Sequence, residues 1–387
     1  MSRHTESPIR VMRIISRMNI GGPAVQVSGL MRSFDVNGFD QRLYTGFCAL
    51  HEADYLETVA TDVTSYRITG FGRRINFVGD LKAFVSLVRE IRRFKPDVIH
   101  THTAKAGFLG RFASIVSMHS SVRVHTFHGH LLNGYFGPFK RILVILAERF
   151  LAIHTHQLLA VGDKVRRDLL HAGIGTKEKF SLMPPGLEID KLHSKFESRK
   201  LLGIPNTRLQ CALIGRVTKI KRPDRFLDVV RELQMRGVEI DFFIAGDGEL
   251  LDACRARIMR EVLPVTVLGW QNNIESVLSA ADIVVLTSDN EGTPLSLIQA
   301  GMAGIPVVAT DVGSVSEVVL DGITGIVTPL DVHRIADALE ELVKSADLRT
   351  QLGATAKEFT TANFGVLRLV HDHEALYRQL LSNPTKP

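Results

Sequence analysis

The run Ala281-Asp282-Ile283-Val284-Val285-Leu286-Thr287 is followed, after three polar residues, by Glu291-Gly292-Thr293-Pro294-Leu295-Ser296-Leu297-Ile298-Gln299. A short, nearly continuous apolar run reads as a strand buried on both faces, the pattern that parallel sheets impose. The segment after it has helical patterning, and Glu291-Gly292 is expected to open that helix. A helix N-terminus offers backbone N–H groups without partners and a partial positive charge, so the ligand that suits it is a phosphate. Pro294 has no N–H, which leaves Leu295 and Ser296 as the phosphate donors, with the Ser296 hydroxyl as an addition. Gln299 lies two helical turns beyond Glu291.

The same alternation of short β-branched run and amphipathic segment extends in both directions. In the first half the strand patterns are Val11 to Ser16, Gln41 to Phe47, Asp97 to His100, Val122 to Phe127 and Gln157 to Val161, with a helical pattern such as Ala104 to Ser117 between neighbours. After Met183-Pro184-Pro185-Gly186 and the polar stretch Lys191 to Lys200 the pattern restarts. Its strands are Leu209 to Ile214, Asp241 to Ala245, Val265 to Leu268, Ala281 to Leu286, Pro306 to Ala309 and Gly325 to Thr328. Strand and helix in alternation mean α/β architecture with doubly wound parallel sheets, here two Rossmann-like halves joined near residue 190. Ligands of such sheets bind beyond the carboxyl ends of the strands, so two halves face to face would enclose a cleft.

Composition narrows the class. A chain of 387 residues, 45% hydrophobic and 23% charged, has the length and make-up of an ordinary globular protein of two domains. No apolar run approaches the ~20 residues of a membrane span, and the start, Met1 to Arg17, is basic and interrupted rather than a secretory leader; the chain is expected to stay in the cytoplasm. Cys48, Cys211 and Cys254 are far apart and odd in number, with no pair at ligand spacing, so neither a zinc site nor a disulfide framework is supported. Residues 1–195 carry 27 Lys/Arg against 16 Asp/Glu and the remainder 20 against 25, so the first half is +11 and the second −5. The asymmetry fits an anionic partner for the first half, such as a membrane surface or a phosphate-bearing lipid, and fits a merely basic solvated surface as well. Nucleic acid is disfavoured, because no basic run is interleaved with aromatics.

Several further motifs fall at strand ends. Asn19-Ile20-Gly21-Gly22-Pro23-Ala24 pairs two glycines ahead of a helix, which lets backbone approach a ligand closely, although a Gly-Gly turn by itself is weak evidence. Thr126-Phe127-His128-Gly129 ends a strand in a histidine, for which packing is the default reading. His100, His102 and His130 read as structural or rim residues. Gly215-Arg216-Val217-Thr218-Lys219-Ile220-Lys221 follows the first strand of the second half, and its Arg216 and Lys221 suit a single phosphate group, one as a planar fork and one as a point charge. Ile244-Ala245-Gly246-Asp247-Gly248 lacks the third glycine of a dinucleotide fingerprint and reads as structural. Leu268-Gly269-Trp270 holds the one tryptophan, for which stacking and packing are equally compatible. No Asp-x-Asp motif of the metal-dependent kind stands at a strand end.

Taken together, residues ~10 to ~375 resemble the retaining glycosyltransferases of family four (glycosyl transferases group 1), enzymes of the GT-B fold whose signature carries two glutamates with seven residues between them. Glu291 matches the first; Gln299 stands where the family has the second. The resemblance implies a domain 1–190 that binds the acceptor, a domain 191–365 that binds the nucleotide sugar, and a C-terminal segment 366–387 whose helix crosses back to the first domain before a short tail. It places Gly21 and Gly22 over the donor diphosphate, His128 against the donor sugar, and Gly215, Arg216 and Lys221 at the phosphates. The loop of Trp270 falls at the nucleotide base, and Glu291 at the hydroxyls of the transferred sugar. Gly292, Thr293, Pro294, Leu295 and Ser296 form the phosphate-binding helix start, with Gln299 at the ribose. The implied reaction is metal-independent transfer with retention, in which a nucleoside diphosphate sugar, most commonly UDP-linked, is co-substrate and no cofactor is used. The implied setting is cell-envelope or exopolysaccharide assembly on a lipid- or polysaccharide-type acceptor, with the amphipathic segment Phe139 to Arg149 available for docking on an anionic membrane or for a buried core helix. A sugar-nucleotide epimerase and a non-catalytic sugar-nucleotide sensor of the same fold are the rival readings, the second motivated by Gln299. A dehydrogenase is disfavoured, because no complete Gly-x-Gly-x-x-Gly follows any strand.

Overall fold

The computed structural model describes residues 7–49, 52–72, 76–129 and 138–383. The chain divides into two compact units, one formed by Met1–Gly186 with Val366–Pro387 and one by Leu187–Gly365.

The first unit is built on seven strands: β1 (Ile9–Ile15), β2 (Phe39–Thr45), β3 (Ser65–Arg67), β4 (Val98–His102), β5 (Val122–Phe127), β6 (Gln157–Ala160) and β7 (Phe180–Leu182). They pair in parallel in the order β3-β2-β1-β4-β5-β6-β7. β1 alternates its faces, as period two requires. Met12 and Ile14 pack with Tyr44, Leu87, Ile91, Ile99 and Ala113 on one side. Val11 packs with Leu30, Phe34, Phe39, Val98 and Val124 on the other. That second layer is completed by the C-terminal helix Val366–Ser382, which contributes Val366, Leu369, Val370 and Tyr377. Arg368 anchors the first turn of that helix by donating from Nη2 to the carbonyls of Pro184 (2.7 Å) and Pro185 (3.0 Å).

The second unit holds β8 (Leu209–Ile214), β9 (Ile240–Ala245), β10 (Val265–Gly269), β11 (Ile283–Leu286), β12 (Val307–Thr310) and β13 (Ile326–Thr328). All pair in parallel, in the order β10-β9-β8-β11-β12-β13. The deciding run is the central strand of this sheet: β11 is buried throughout, and its Ile283 and Val285 lie in a core with Phe226, Phe242, Ile244, Val308 and Leu339.

In each sheet the strand order reverses once, between β1 and β4 in the first and between β8 and β11 in the second. An open α/β sheet leaves room for a ligand at such a point, because helices depart to opposite faces. β3 and β7 have no counterpart in the sequence reading. Each is a three-residue edge strand without the β-branched run that marks the equally short β13.

Candidate functional site

In the second unit the carboxyl ends of β8 and β11 bring Lys221 and Glu291 together across seventy positions. Lys221 Nζ lies 2.5 Å from Glu291 Oε1, and the Ser288 hydroxyl donates to the same oxygen at 2.5 Å. Glu291 is 8% exposed, so this is a carboxylate held in place rather than a solvated one. Its other oxygen takes no hydrogen bond among the described residues and remains an acceptor. An ammonium has three donors, so Lys221 can hold Glu291 and still meet an anion.

The strand end beneath Glu291 is tied down from several directions. Thr310 Oγ1 donates to the Ser288 carbonyl at 2.8 Å, and Asp289 receives Arg225 Nη2 at 2.7 Å and Arg222 Nη1 at 3.1 Å. Arg225 Nη1 also donates to the Thr287 carbonyl at 2.7 Å. Asp224 first, and then Asp289, raise the Arg222 guanidinium above its ordinary value. Gly313 completes the seat: its φ is +59°, and a Cβ there would stand 1.8 Å from the Glu291 carbonyl oxygen. Nothing in the sequence marks Ser288, Asp289, Arg225 or Gly313 as site residues. Ser288 and Asp289 follow the quoted strand directly, whereas Arg225 and Gly313 join the site only through folding.

The helix expected to open at Glu291 begins four residues later, as Leu295–Met302, with Pro294 as its N-cap in an extended conformation. The reason is Pro294 itself, which restricts the residue before it to extended backbone and keeps Glu291, Gly292 and Thr293 in a loop. The consequence for the donors is unchanged. Leu297 and Ile298 donate back to the Pro294 carbonyl at 3.1 and 3.3 Å, while the amides of Leu295 and Ser296 have no acceptor among the described residues. Gly292, Thr293, Ser296 and Gln299 are half-buried and Pro294 is buried.

Gly215 takes φ +142°, a value that favours glycine, and nothing stands within 4 Å of where its Cβ would be. Arg216 is exposed, with no side-chain partner among the described residues, and Lys221 is half-buried. The two cations expected to share one phosphate therefore differ: one is free, the other already donates to Glu291. Gly246 and Gly248 are structural, since a Cβ would fall 1.9 Å from the Gly215 carbonyl in one case and 2.4 Å from that of Val217 in the other. Trp270 is 42% exposed and donates from Nε1 to Asn272 Oδ1 at 2.7 Å, so the ring is not core packing.

In the first unit Gly21 is the N-cap of the helix Gly22–Ser33, with Pro23 in its first turn. The Gly21 carbonyl accepts from Ala24 (3.1 Å) and Val25 (3.2 Å). A Cβ on Gly21 would touch nothing closer than 4.0 Å, so the loop stands open on that side. His128 follows β5, and its Nε2 lies 3.0 Å from Nδ1 of His102, the last residue of β4. Burial pushes the His128 imidazole down to about 3, which keeps the ring neutral near pH 7. His102 and His100 are wholly buried rather than rim residues; His130 lies outside the described residues.

Among the described residues no group of three or more His, Cys, Asp or Glu is placed to hold a metal, and no helix is long and apolar enough to cross a membrane. The helix Pro138–Ile153 does carry Ile142, Leu143, Leu146, Phe150 and Ile153 more than half exposed, which removes the buried-core explanation for these residues.

Comparison with known proteins fits this geometry. Residues 194–359 match the family model described as glycosyl transferases group 1, and residues 21–186 match a glycosyl transferase 4-like domain. The UDP-Gal:alpha-D-GlcNAc-diphosphoundecaprenol alpha-1,3-galactosyltransferase of Escherichia coli is 24% identical over 340 residues, 85% of this chain and 87% of that protein. The putative glycosyltransferase EpsF of Bacillus subtilis (strain 168) is 25% identical, covering 87% of each. Among solved structures, Anabaena Alr3699/HepE in complex with UDP and glucose superposes with a TM-score of 0.81 at 18% identity, over 96% of this chain and 100% of that one. A sucrose-phosphate synthase from Thermosynechococcus elongatus gives 0.80 at 17%, over 97% and 99%. These likenesses establish the fold as GT-B, with two Rossmann-like α/β domains on parallel sheets.

Proposed function

Because the chain belongs to the glycosyl transferases of group 1, we propose that it moves a hexose or N-acetylhexosamine from a UDP-linked donor to a lipid-linked or polysaccharide acceptor, with retention of configuration. Glycosyl transfer from a nucleotide sugar follows from the family. The UDP donor is supported by the named substrate of the Escherichia coli relative and by the UDP in the HepE complex. The acceptor class is supported by that relative's diphosphoundecaprenol acceptor and by similarity to a capsular polysaccharide biosynthesis glycosyltransferase, CapM of Staphylococcus aureus.

The observation that carries the reading is the Lys221–Glu291–Ser288 cluster at the β8/β11 reversal, next to the free amides of Leu295 and Ser296. Breaking a glycosidic phosphate bond builds negative charge on the leaving diphosphate and positive charge on the sugar. Lys221 and the two amides are held in place to meet the first, and the exposed Arg216 is free to join them, which is the electrostatic form of catalysis and asks for no metal. Glu291, held through Oε1, has its second oxygen for the sugar hydroxyls. His128 is assigned to the transferred sugar, Gly21, Gly22 and Gly215 to the approach of backbone to the diphosphate, and the exposed Trp270 loop to the base. The acceptor hydroxyl then attacks the anomeric carbon from the leaving-group face. Its proton passes to the departing phosphate oxygen as the carbon–oxygen bond breaks.

Gln299 favours one alternative. An amide in the ribose position gives up a charge-assisted hydrogen bond, roughly twice as strong as a neutral one, and weak donor binding without turnover would make the protein a sugar-nucleotide sensor. One experiment separates the two: nucleoside diphosphate release, followed by mass spectrometry, from UDP-, GDP- and ADP-sugars with wild type, Glu291→Ala and Gln299→Glu. Transfer or slow hydrolysis of a UDP-sugar, reduced by roughly two to three orders of magnitude in Glu291→Ala, is the expected result. Turnover in Gln299→Glu alone supports the sensor, and the absence of binding to every donor defeats the site.

A further inference from the structure

His128 sits at the end of a chain of buried side chains whose protons can be traced. Arg13 has no exposed surface, and a guanidinium only donates. Its Nη1 lies 3.3 Å from His100 Nδ1 and 3.1 Å from the Tyr377 hydroxyl. His100 Nδ1 must therefore be bare, and it also receives the Tyr377 O–H at 2.6 Å. The His100 proton is on Nε2 and is donated to Thr126 Oγ1 at 2.7 Å.

His102 stacks on this fixed ring, with centroids 4.2 Å apart and planes 27° from parallel. It too has no exposed surface, and its Nε2 has no hydrogen-bond partner among the described residues. An N–H buried without an acceptor is rarer and costlier than an unused lone pair, so the His102 proton belongs on Nδ1, where His128 Nε2 waits 3.0 Å away. The backbone holds His102 in place as well. Thr103, which follows it, has φ 68° and ψ 157°, a region otherwise left to glycine, and its hydroxyl meets Ser16 Oγ at 3.2 Å.

We infer that His102 is a positioning residue for the proposed transfer: by donating Nδ1–H to His128 Nε2 it fixes the plane and the tautomer of His128, which then presents Nδ1–H as a hydrogen-bond donor to the transferred sugar. The inference rests on the assignment of His128 to that sugar. The bond a histidine makes through one ring nitrogen sets what the other can do. With His102 in place, His128 offers a donor and no acceptor on its free side, so a sugar hydroxyl or ring oxygen binds by accepting. Burial first, and then His128, Arg13, His373 and His125 in the same cluster, keep His102 uncharged.

Two measurements test this on the full chain. Histidine 15N–1H correlation spectra of the wild type are expected to show His128 as the Nδ1–H tautomer; an Nε2–H tautomer overturns the inference, whatever the activity. In donor turnover, His102→Leu is expected to lower kcat roughly ten- to hundredfold with KM for the donor unchanged. His102→Asn, whose amide keeps a donor near the Nδ1 position, should recover most of it. Equal loss in both variants, or none in His102→Leu, overturns the inference. If the wild type transfers no sugar, the proposed function fails, and the spectra alone still decide the tautomer.

Discussion

Glu291 could be read from the sequence because everything that marks it is local: an apolar strand, a glycine next to it and a helical pattern after it. The groups that hold it are not local. Ser288 lies three residues away with nothing local to mark it, Lys221 reads in sequence as a phosphate ligand alone, and Gly313 reaches Glu291 only because β11 and β12 are neighbours in the sheet. Gly313 therefore makes a sharp residue-scale test. Gly313→Ala puts a methyl 1.8 Å from the Glu291 carbonyl at a φ of +59°, a conformation whose strain alone costs about 1–3 kcal/mol. The variant is expected to lower the thermal midpoint and to weaken UDP binding in calorimetry, whereas Gly203→Ala, also at positive φ but in open space, should lower the midpoint without touching the affinity.

At the scale of elements, the central strands and the helix Ala104–Ser117 carry periodicities long enough to be recognised, while β3 and β7 do not. The helix Val366–Ser382 is amphipathic in sequence, but its role in the first unit depends on Tyr377, whose hydroxyl joins Arg13 to His100. Burial raises the phenol above its ordinary value, so it stays a neutral donor and acceptor. Tyr377→Phe leaves the Arg13 guanidinium without one acceptor and is expected to destabilise by about 1–3 kcal/mol, read as a lower urea midpoint. Removing residues 366–387 takes Val366, Leu369, Val370 and Tyr377 from the hydrophobic core of the first unit, each worth about 1.5–3 kcal/mol, together with the buried His373. Against a typical domain stability of about 5–15 kcal/mol, the truncated chain is expected to lose the folded first unit, seen as loss of amide protection there. Retained protection would refute this role for the helix.

Across the whole molecule, charge and protonation set the response to conditions. His100, His102, His125, His128 and His373 are all held below the ordinary histidine range, by burial first and then, for most of them, by Arg13, Arg111 or one another; His128 and His373 are at about 3. The unfolded chain binds protons at these rings below pH ~6.5 and the folded chain does not, so stability is full above that value and falls as pH drops towards 3. Each ring contributes up to about 1.4 kcal/mol of loss per pH unit. A thermal midpoint flat above pH 7 and falling steeply from pH 6.5 to 5, with proton uptake on unfolding, is the expected result; a flat profile to pH 5 would refute it. The +11 of residues 1–195 beside the exposed apolar face of Pro138–Ile153, where Arg141 and Arg149 are also exposed, leads to a second expectation. The protein should bind anionic vesicles at low salt and release them as salt shortens the screening length below ~10 Å. Failure to bind at low salt, or binding indifferent to salt, would remove the electrostatic part of that docking.

The sequence by itself determined the two parallel α/β sheets and the strand ends at which Gly215, Lys221, His128 and Glu291 stand. Strand and helix periodicities, glycine conformation and the missing N–H of proline all act within a few residues and leave their mark in local order. Only the tertiary structure decided that Lys221 and Glu291 are one ion pair and that Gly313 seats Glu291. It alone made His102 the partner of His128 and joined Tyr377 of the C-terminal helix to Arg13 and His100. Those are contacts between positions far apart in the chain, and they exist only once burial has fixed strand order and register.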